Sequence, residues 1–174
     1  VMNADNDSSG TGTLTAAAGK RVDSNASDIT ITAWVLDLAG SLTSGTKTVS
    51  VHASPSGQTI GLGGFGKDMH VTNAEIQRIT ASGGAVVGGS AAGTITVNGV
   101  ALGSSTYLAP LVTLVAKNTG ATAQVVFADT AASFALQNDG METQPTLRLT
   151  DGQQKDGAVT LVTLSNKGGV ASGD

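Results

Sequence analysis

Ile29-Thr30-Ile31-Thr32, Thr48-Val49-Ser50-Val51 and Thr94-Ile95-Thr96-Val97 are the three stretches that decide the fold class. In each, a branched apolar residue alternates with a hydroxyl-bearing one. A period of two puts the apolar side chains on one face of an extended strand and the hydroxyls on the other. Thr belongs in this pattern because its branched Cβ fits a pleated surface as Val and Ile do. Working outward, related segments occur at Thr13-Leu14-Thr15, Ile60-Gly61-Leu62, Val71 and Val86-Val87. Further on they recur at Leu111 to Val115, Gln124 to Phe127, Phe134 to Leu136, Leu147 to Leu149 and Val159 to Leu164. Many short strands separated by glycine-rich turns predict an all-β fold.

Spacing separates two all-β architectures. Over the first half the strand centres lie about 16 to 24 residues apart, which suits one rung of a β-solenoid. Over the second half the spacing tightens to about 9 to 13, which also suits a β-sandwich of antiparallel hairpins. Asn98-Gly99, Asp139-Gly140, Asp151-Gly152 and Asp156-Gly157 are dipeptides that favour tight hairpin turns. Residues 1–115 therefore read as solenoid rungs. Residues 116–174 read as continuing β repeats or as an antiparallel extension, and the sandwich stays open as the alternative. One helical stretch stands out, Asn73 to Ile79, with Thr72 or Asn73 as N-cap and Ile76 and Ile79 three apart.

Composition narrows the function. Of 174 residues, 40% are apolar but only 3% are aromatic, so a core is feasible only from short aliphatic side chains stacked in thin layers. Nine basic residues are scattered and the net charge is −4, which argues against a phosphate-binding surface and hence against nucleic acid. No apolar run approaches the ~18 residues needed to span a bilayer. With no cysteine, disulfides, thiol nucleophiles and thiolate metal sites are excluded. The opening residues show no signal-peptide pattern, and the chain starts and stops as expected of a stretch cut from a longer polypeptide.

At residues 28 to 102 a family pattern emerges. Asp28-Ile29-Thr30-Ile31-Thr32-Ala33 is followed by Asp37-Leu38-Ala39-Gly40-Ser41-Leu42, then by Thr59-Ile60-Gly61-Leu62-Gly63-Gly64. Asn73-Ala74-Glu75-Ile76-Gln77-Arg78-Ile79-Thr80-Ala81 and Gly93-Thr94-Ile95-Thr96-Val97 complete it. The order resembles the repeat module of filamentous-haemagglutinin-like giant surface proteins, and it covers somewhat under half the chain. The resemblance implies a right-handed parallel β-helix with a structural or adhesive role.

Several motifs invite chemistry. Gly61-Leu62-Gly63-Gly64-Phe65-Gly66 has the dinucleotide spacing, but that site needs a helix after it and a carboxylate about 20 residues on. No carboxylate stands between Glu75 and Asp129. The same glycines read as a P-loop through Lys67, but Asp68 stands where a hydroxyl should meet magnesium. Gly63-Gly64-Phe65-Gly66-Lys67-Asp68 also matches the opening of a calcium-binding nonapeptide, which makes Asp68 the one metal-ligand candidate; the bland reading is a tight glycine turn. Asp5-Asn6-Asp7-Ser8-Ser9-Gly10 imitates an EF-hand loop but lacks a glutamate at its twelfth position, Ala16, and reads better as a solvated turn.

His52 and His70 lack the partner spacing of a triad or metal site, so no catalytic residue and no cofactor are assigned. Asn6 and Asn25 head Asn-x-Ser sequons and are candidate glycan acceptors. Trp34 is a candidate contact residue, better placed for a packed end or an intersubunit contact than for stacking on a sugar. The expectation is a non-enzymatic segment of an extracellular filament, stalk or surface adhesin. Its partners would be copies of itself or adjacent repeats, with a glycan- or receptor-binding module on the same scaffold as the alternative.

Overall fold

The computed structural model describes residues 1–64, 66–100, 108, 111–118 and 123–128, and the strand backbones of 146–149 and 160–165. It is all-β: among the described residues the strands are interrupted by one four-residue helix. No helix is long and apolar enough to cross a membrane.

The alternating segments become strands with alternating burial. In β4 (Ile29–Ala33), Ile29, Ile31 and Ala33 face inward while Thr30 and Thr32 are half-buried on the outer face. β7 (Val49–Ala53) repeats this with Val49, Val51 and Ala53 inside, Ser50 and His52 outside. β1 (Met2–Asn3) lies on one flank of β4, and β11 (Ala85–Gly89) and β13 (Leu111–Ala116) continue the sheet beyond β7. All four neighbouring pairs are parallel. Met2, Ile31, Val51, Val87 and Leu114 stand side by side across them. Beyond β13 the direction reverses. β16 (Thr160–Ser165) pairs antiparallel with β13, and β15 (Thr146–Leu149) pairs antiparallel with β16.

Three smaller parallel sheets make up two further strand sets. β3 (Arg21–Asp23), β6 (Ser41–Gly45) and β10 (Ile79–Ala81) form one sheet. β2 (Thr13–Ala16) pairs with β5 (Val35–Leu38), and β9 (Met69–Val71), β8 (Gln58–Gly63), β12 (Ala92–Asn98) and β14 (Gln124–Phe127) form another sheet. The far flank of β5 meets β9. The chain thus visits the strand sets in a fixed order, in successive passes: β1-β2-β3, then β4-β5-β6, then β7 to β10.

Pass length is where the structure departs from even spacing. Ile31 and Val51 are 20 residues apart, as are Val22 and Leu42. Val51 and Val87 are 36 apart, and Val87 and Leu114 are 27 apart. The long third pass carries an insert. After β8 the chain turns back, runs beside it again as β9, and then makes helix α1 (Asn73–Ile76) before β10. The glycine run permits the return. Gly63 has φ +88°, and a Cβ there would stand 2.2 Å from the Asn98 carbonyl oxygen of β12. The strand expected at Ile60-Gly61-Leu62 runs from Gln58 to Gly63, and the chain turns only after it.

α1 is shorter than the sequence suggests. Thr72 is the N-cap, and its hydroxyl and the Glu75 side chain form a reciprocal capping box. The helix ends at Ile76 because Ile79 and Thr80 pair with Leu42 and Thr43 in β10 instead. Glu75 also reaches outside the helix. Its Oε1 accepts the Leu38 N–H at 3.1 Å, and Arg78 donates to the Leu38 carbonyl at 2.9 Å. Two side chains thereby satisfy backbone groups of β5 that have no strand beside them at that point.

Among the described residues the core is built from aliphatic side chains and Met69. Ile31, Leu36, Leu42, Ile60, Ile95 and Leu114 are at most 1% exposed, and no aromatic residue is buried among the described residues. Each such Ile or Leu contributes about 1.5–3 kcal/mol by leaving water. Asn98-Gly99 closes no hairpin, because both neighbours of β12 run parallel to it. The segment Phe134 to Leu136 and the three Asp-Gly pairs lie outside the described residues.

Candidate functional site

The side chains singled out for chemistry are mostly committed to holding turns. Asp68 is exposed, and its Oδ2 accepts both the Thr59 N–H and the Thr59 hydroxyl at 2.9 Å. The Asp68 N–H donates back to that hydroxyl at 3.3 Å. The carboxylate thus ties the end of the return loop to the start of β8. His70, two residues on, places Nε2 2.8 Å from the Gly63 carbonyl oxygen. The glycine loop is therefore closed by its own neighbours, and the element after it is the strand β9 rather than a helix. Among the described residues, no group of three or more His, Asp or Glu is placed to share a metal ion.

His52 sits on the outer face of β7. Burial lowers its pKa from the usual 6.5, so the neutral ring is favoured. Gly89 makes room for it: a Cβ there would stand 2.8 Å from the His52 Nδ1.

The Asp5 turn is better built than a solvated turn. Asp5 is only 3% exposed, and its carboxylate faces the chain's own backbone. Oδ1 accepts the Ser9 N–H at 3.1 Å and the Ser9 hydroxyl at 3.0 Å, while Oδ2 accepts the Gly10 N–H at 3.1 Å. Burial on its own would raise the carboxyl pKa, but hydrogen bonds from Ser54, Ser9 and the Gly10 amide together hold it below 3.8. Trp34 covers this turn. Its indole lies against Gly10, where a Cβ would be 3.6 Å from the ring, and its backbone N–H donates to the Gly12 carbonyl at 2.9 Å. The residue is half-buried. Asn6 and Asn25 are both exposed. Asn25 and Ala26 adopt φ of 54° and 60°, in a turn that the Ser24 hydroxyl closes by donating to the Ser27 carbonyl.

Sequence reading missed the polar corner between the first two strand sets. Gln58 is 2% exposed; its Oε1 accepts the Ser54 N–H and its Nε2 donates to the Trp34 carbonyl, both at 2.7 Å. The Ser54 hydroxyl donates to the Asp5 carbonyl at 2.8 Å. In a later pass, buried Asn118 donates to Ser56 Oγ at 2.7 Å. The corner ties passes together through polar side chains whose partners lie 24 to 62 residues away. No local pattern signals such pairs. An apolar cavity of about 30 Å³ lies among Val49, Val51, Leu62, Val71, Ile79 and Val112. It has room for a water but offers no polar partner to hold one.

The first three strands are less covered than the next three. β1, β2 and β3 are each edge strands. Their inward residues Met2, Leu14 and Val22 are only half-buried, while their register partners Ile31, Leu36 and Leu42 are 0–1% exposed. At the other end, β16 occupies the far edge of β13. Comparison with protein-family models, with curated proteins and with solved structures finds no match to this chain.

Proposed function

We propose that the chain is a structural segment of an extracellular stalk, filament or surface adhesin, wound as a right-handed parallel β-helix. The observation that carries this reading is the joint advance of the strand sets. Ile31 to Val51 and Val22 to Leu42 both step by 20 residues, and Leu14 to Leu36 steps by 22, so over the first two passes each pass adds one strand to each set. A chain wound this way satisfies its backbone polar groups between successive passes and fills its interior with stacked aliphatic side chains. Load along such a segment is shared by many backbone hydrogen bonds, and the role needs no reactive group. The commitment of Asp5, Asp68, Glu75 and Gln58 to internal hydrogen bonds fits that role. So does the resemblance of residues 28–102 to giant surface-protein repeats.

Immuno-electron microscopy of the producing cells tests it, using an antibody raised to the exposed Ser24–Ser27 turn. Label on fibres or projections outside the cell is expected. Label confined to the cell interior would contradict the reading.

A further inference from the structure

The second and third passes are not joined alike in every strand set. β4 ladders with β7 over Ile29–Ala33, and β6 ladders with β10 through Leu42 and Thr43. Among the described strands, β5 ladders with β2 alone. β9 lies along the other flank of β5, yet it belongs to the sheet of β8, β12 and β14 and forms its edge. Side chains bridge this seam in place of a backbone ladder. Gln58 donates to the Trp34 carbonyl at 2.7 Å, Glu75 accepts the Leu38 N–H at 3.1 Å, and Arg78 donates to the Leu38 carbonyl at 2.9 Å. Arg78 stands on the fixed side of the seam, since its own carbonyl accepts the Leu42 N–H of β6 at 2.9 Å. Glu75 stands on the other side, in α1.

The segment that Glu75 belongs to has little structure of its own. β9 is three residues and α1 four, too short to persist in water unsupported. Met69, Val71 and Ile76 are buried beneath it, but Val71 and Ile76 border the apolar cavity of about 30 Å³. Atoms that face a void forfeit part of their dispersion attraction. The chain enters β9 through Gly64 and Gly66. Neither has a positive φ, and an added Cβ would meet ordinary contact at Gly64 and open space at Gly66. Packing does not demand glycine at either place. What glycine supplies there is freedom to swing.

We propose that β9 and α1 form a strap that opens and closes on the stack as one unit, latched to Leu38 by Glu75. Opening breaks the short β8–β9 ladder, the Asp68 bonds to Thr59, the His70 bond to Gly63, the Glu75 bond to Leu38 and the Asn73 bond to the Gly99 carbonyl. It leaves the β4–β7, β6–β10 and β8–β12 ladders intact. The stack then stays wound but is released along one side between its second and third passes, so it yields there without coming apart. In a load-bearing segment the strap is the compliant element, and its latch sets how readily it gives. This inference rests on the wound-strand reading of the proposed function and says where that structure moves.

Native-state hydrogen exchange of the full chain, followed against low urea, tests it. The amides of Leu38, β9 and α1 are expected to share one opening curve and to exchange at least about tenfold faster than those of β4 and β7. Thr72→Ala removes the N-cap hydroxyl but leaves the Glu75 bond to Leu38 in place. It is expected to speed exchange at α1, β9 and Leu38 by one common factor, about fivefold. Fraying of the helix alone would speed α1 only. Glu75→Ala removes the latch as well and is expected to have the larger effect on β9, about tenfold or more, with β4 and β7 unchanged.

Strap amides that exchange only together with those of β4 and β7, in one global transition, overturn the proposal. So does a Thr72→Ala effect confined to α1. Nuclear Overhauser contacts on the same sample separate these outcomes from a failure of the wound fold. Parallel contacts between β4 and β7 with one global transition sink only the strap, whereas antiparallel contacts sink the parent reading as well.

Discussion

The first pass (β1, β2, β3) and the second (β4, β5, β6) are built from the same kind of sequence but differ in burial. Leu14 lies beside Leu36 and Val22 beside Leu42, yet one member of each pair is half-covered and the other is 0–1% exposed. The difference is not in the residues. A β-strand of this fold completes its hydrogen bonds and covers its apolar face only when strands flank it on both sides. The second pass has neighbours on both flanks over most of its length; the first has a neighbour on one. Burial here depends on whether a strand has neighbours on both sides.

The largest effect that tests this contrast is a paired truncation. Ile31→Ala is expected to cost about 2–5 kcal/mol in urea unfolding, because the residue is fully buried and its neighbours on both sides are rigid strands. Met2→Ala, at the register-equivalent place, is expected to cost under about 1 kcal/mol in the monomer. Equal losses would remove the distinction between the passes.

Gln58→Ala comes next. It strips the Ser54 N–H and the Trp34 carbonyl of their partner at a buried corner, for an expected cost of about 1–3 kcal/mol. Ala26→Gly works in the opposite direction. Ala26 holds φ 60°, a left-handed conformation that a Cβ disfavours, so glycine there is expected to stabilise by about 1 kcal/mol, read as a higher Tm.

The smallest effects concern pH, and the first and third passes differ there too. Asp5, in the first pass, is held below 3.8, so its contribution is present above about pH 3.8 and is lost as pH falls through its folded value. His52, in the third pass, is held below 6.5. The folded state disfavours its protonation, so stability begins to fall as pH drops below 6.5 and continues to fall until the folded value is passed. Hydrogen exchange should therefore loosen around β7 at a higher pH than around the Asp5 turn. His52→Gln should abolish the first of these two transitions and leave the second.

Much of the strand map was legible because period-two alternation is local. Ile29 to Thr32, Thr48 to Val51 and Thr94 to Val97 needed no partner to be recognised as strands. The start of α1 was equally local: Thr72 or Asn73 was legible as its N-cap, and the structure decides for Thr72. Direction was harder to read. Asn98-Gly99 has hairpin chemistry, but β12 lies between two parallel neighbours, and tertiary pairing overrides the turn preference. The insert behind Gly63 was hidden for a similar reason: a glycine run announces a turn but not where the chain goes afterwards. Gln58 and Asn118 were not legible as structural residues, since Trp34 and Ser56, which they bind, come from other passes.

Nuclear Overhauser contacts between β4 and β7 test the central claim most directly. Parallel strands in the register Ile31 to Val51 place amide protons near Hα protons across the ladder and give no short Hα–Hα contacts. That pattern, continued from Val51 to Val87, is the expected result. Strong Hα–Hα contacts between Ile29–Ala33 and Val49–Ala53 would mean that the strands run antiparallel, as in a sandwich, and would contradict the account.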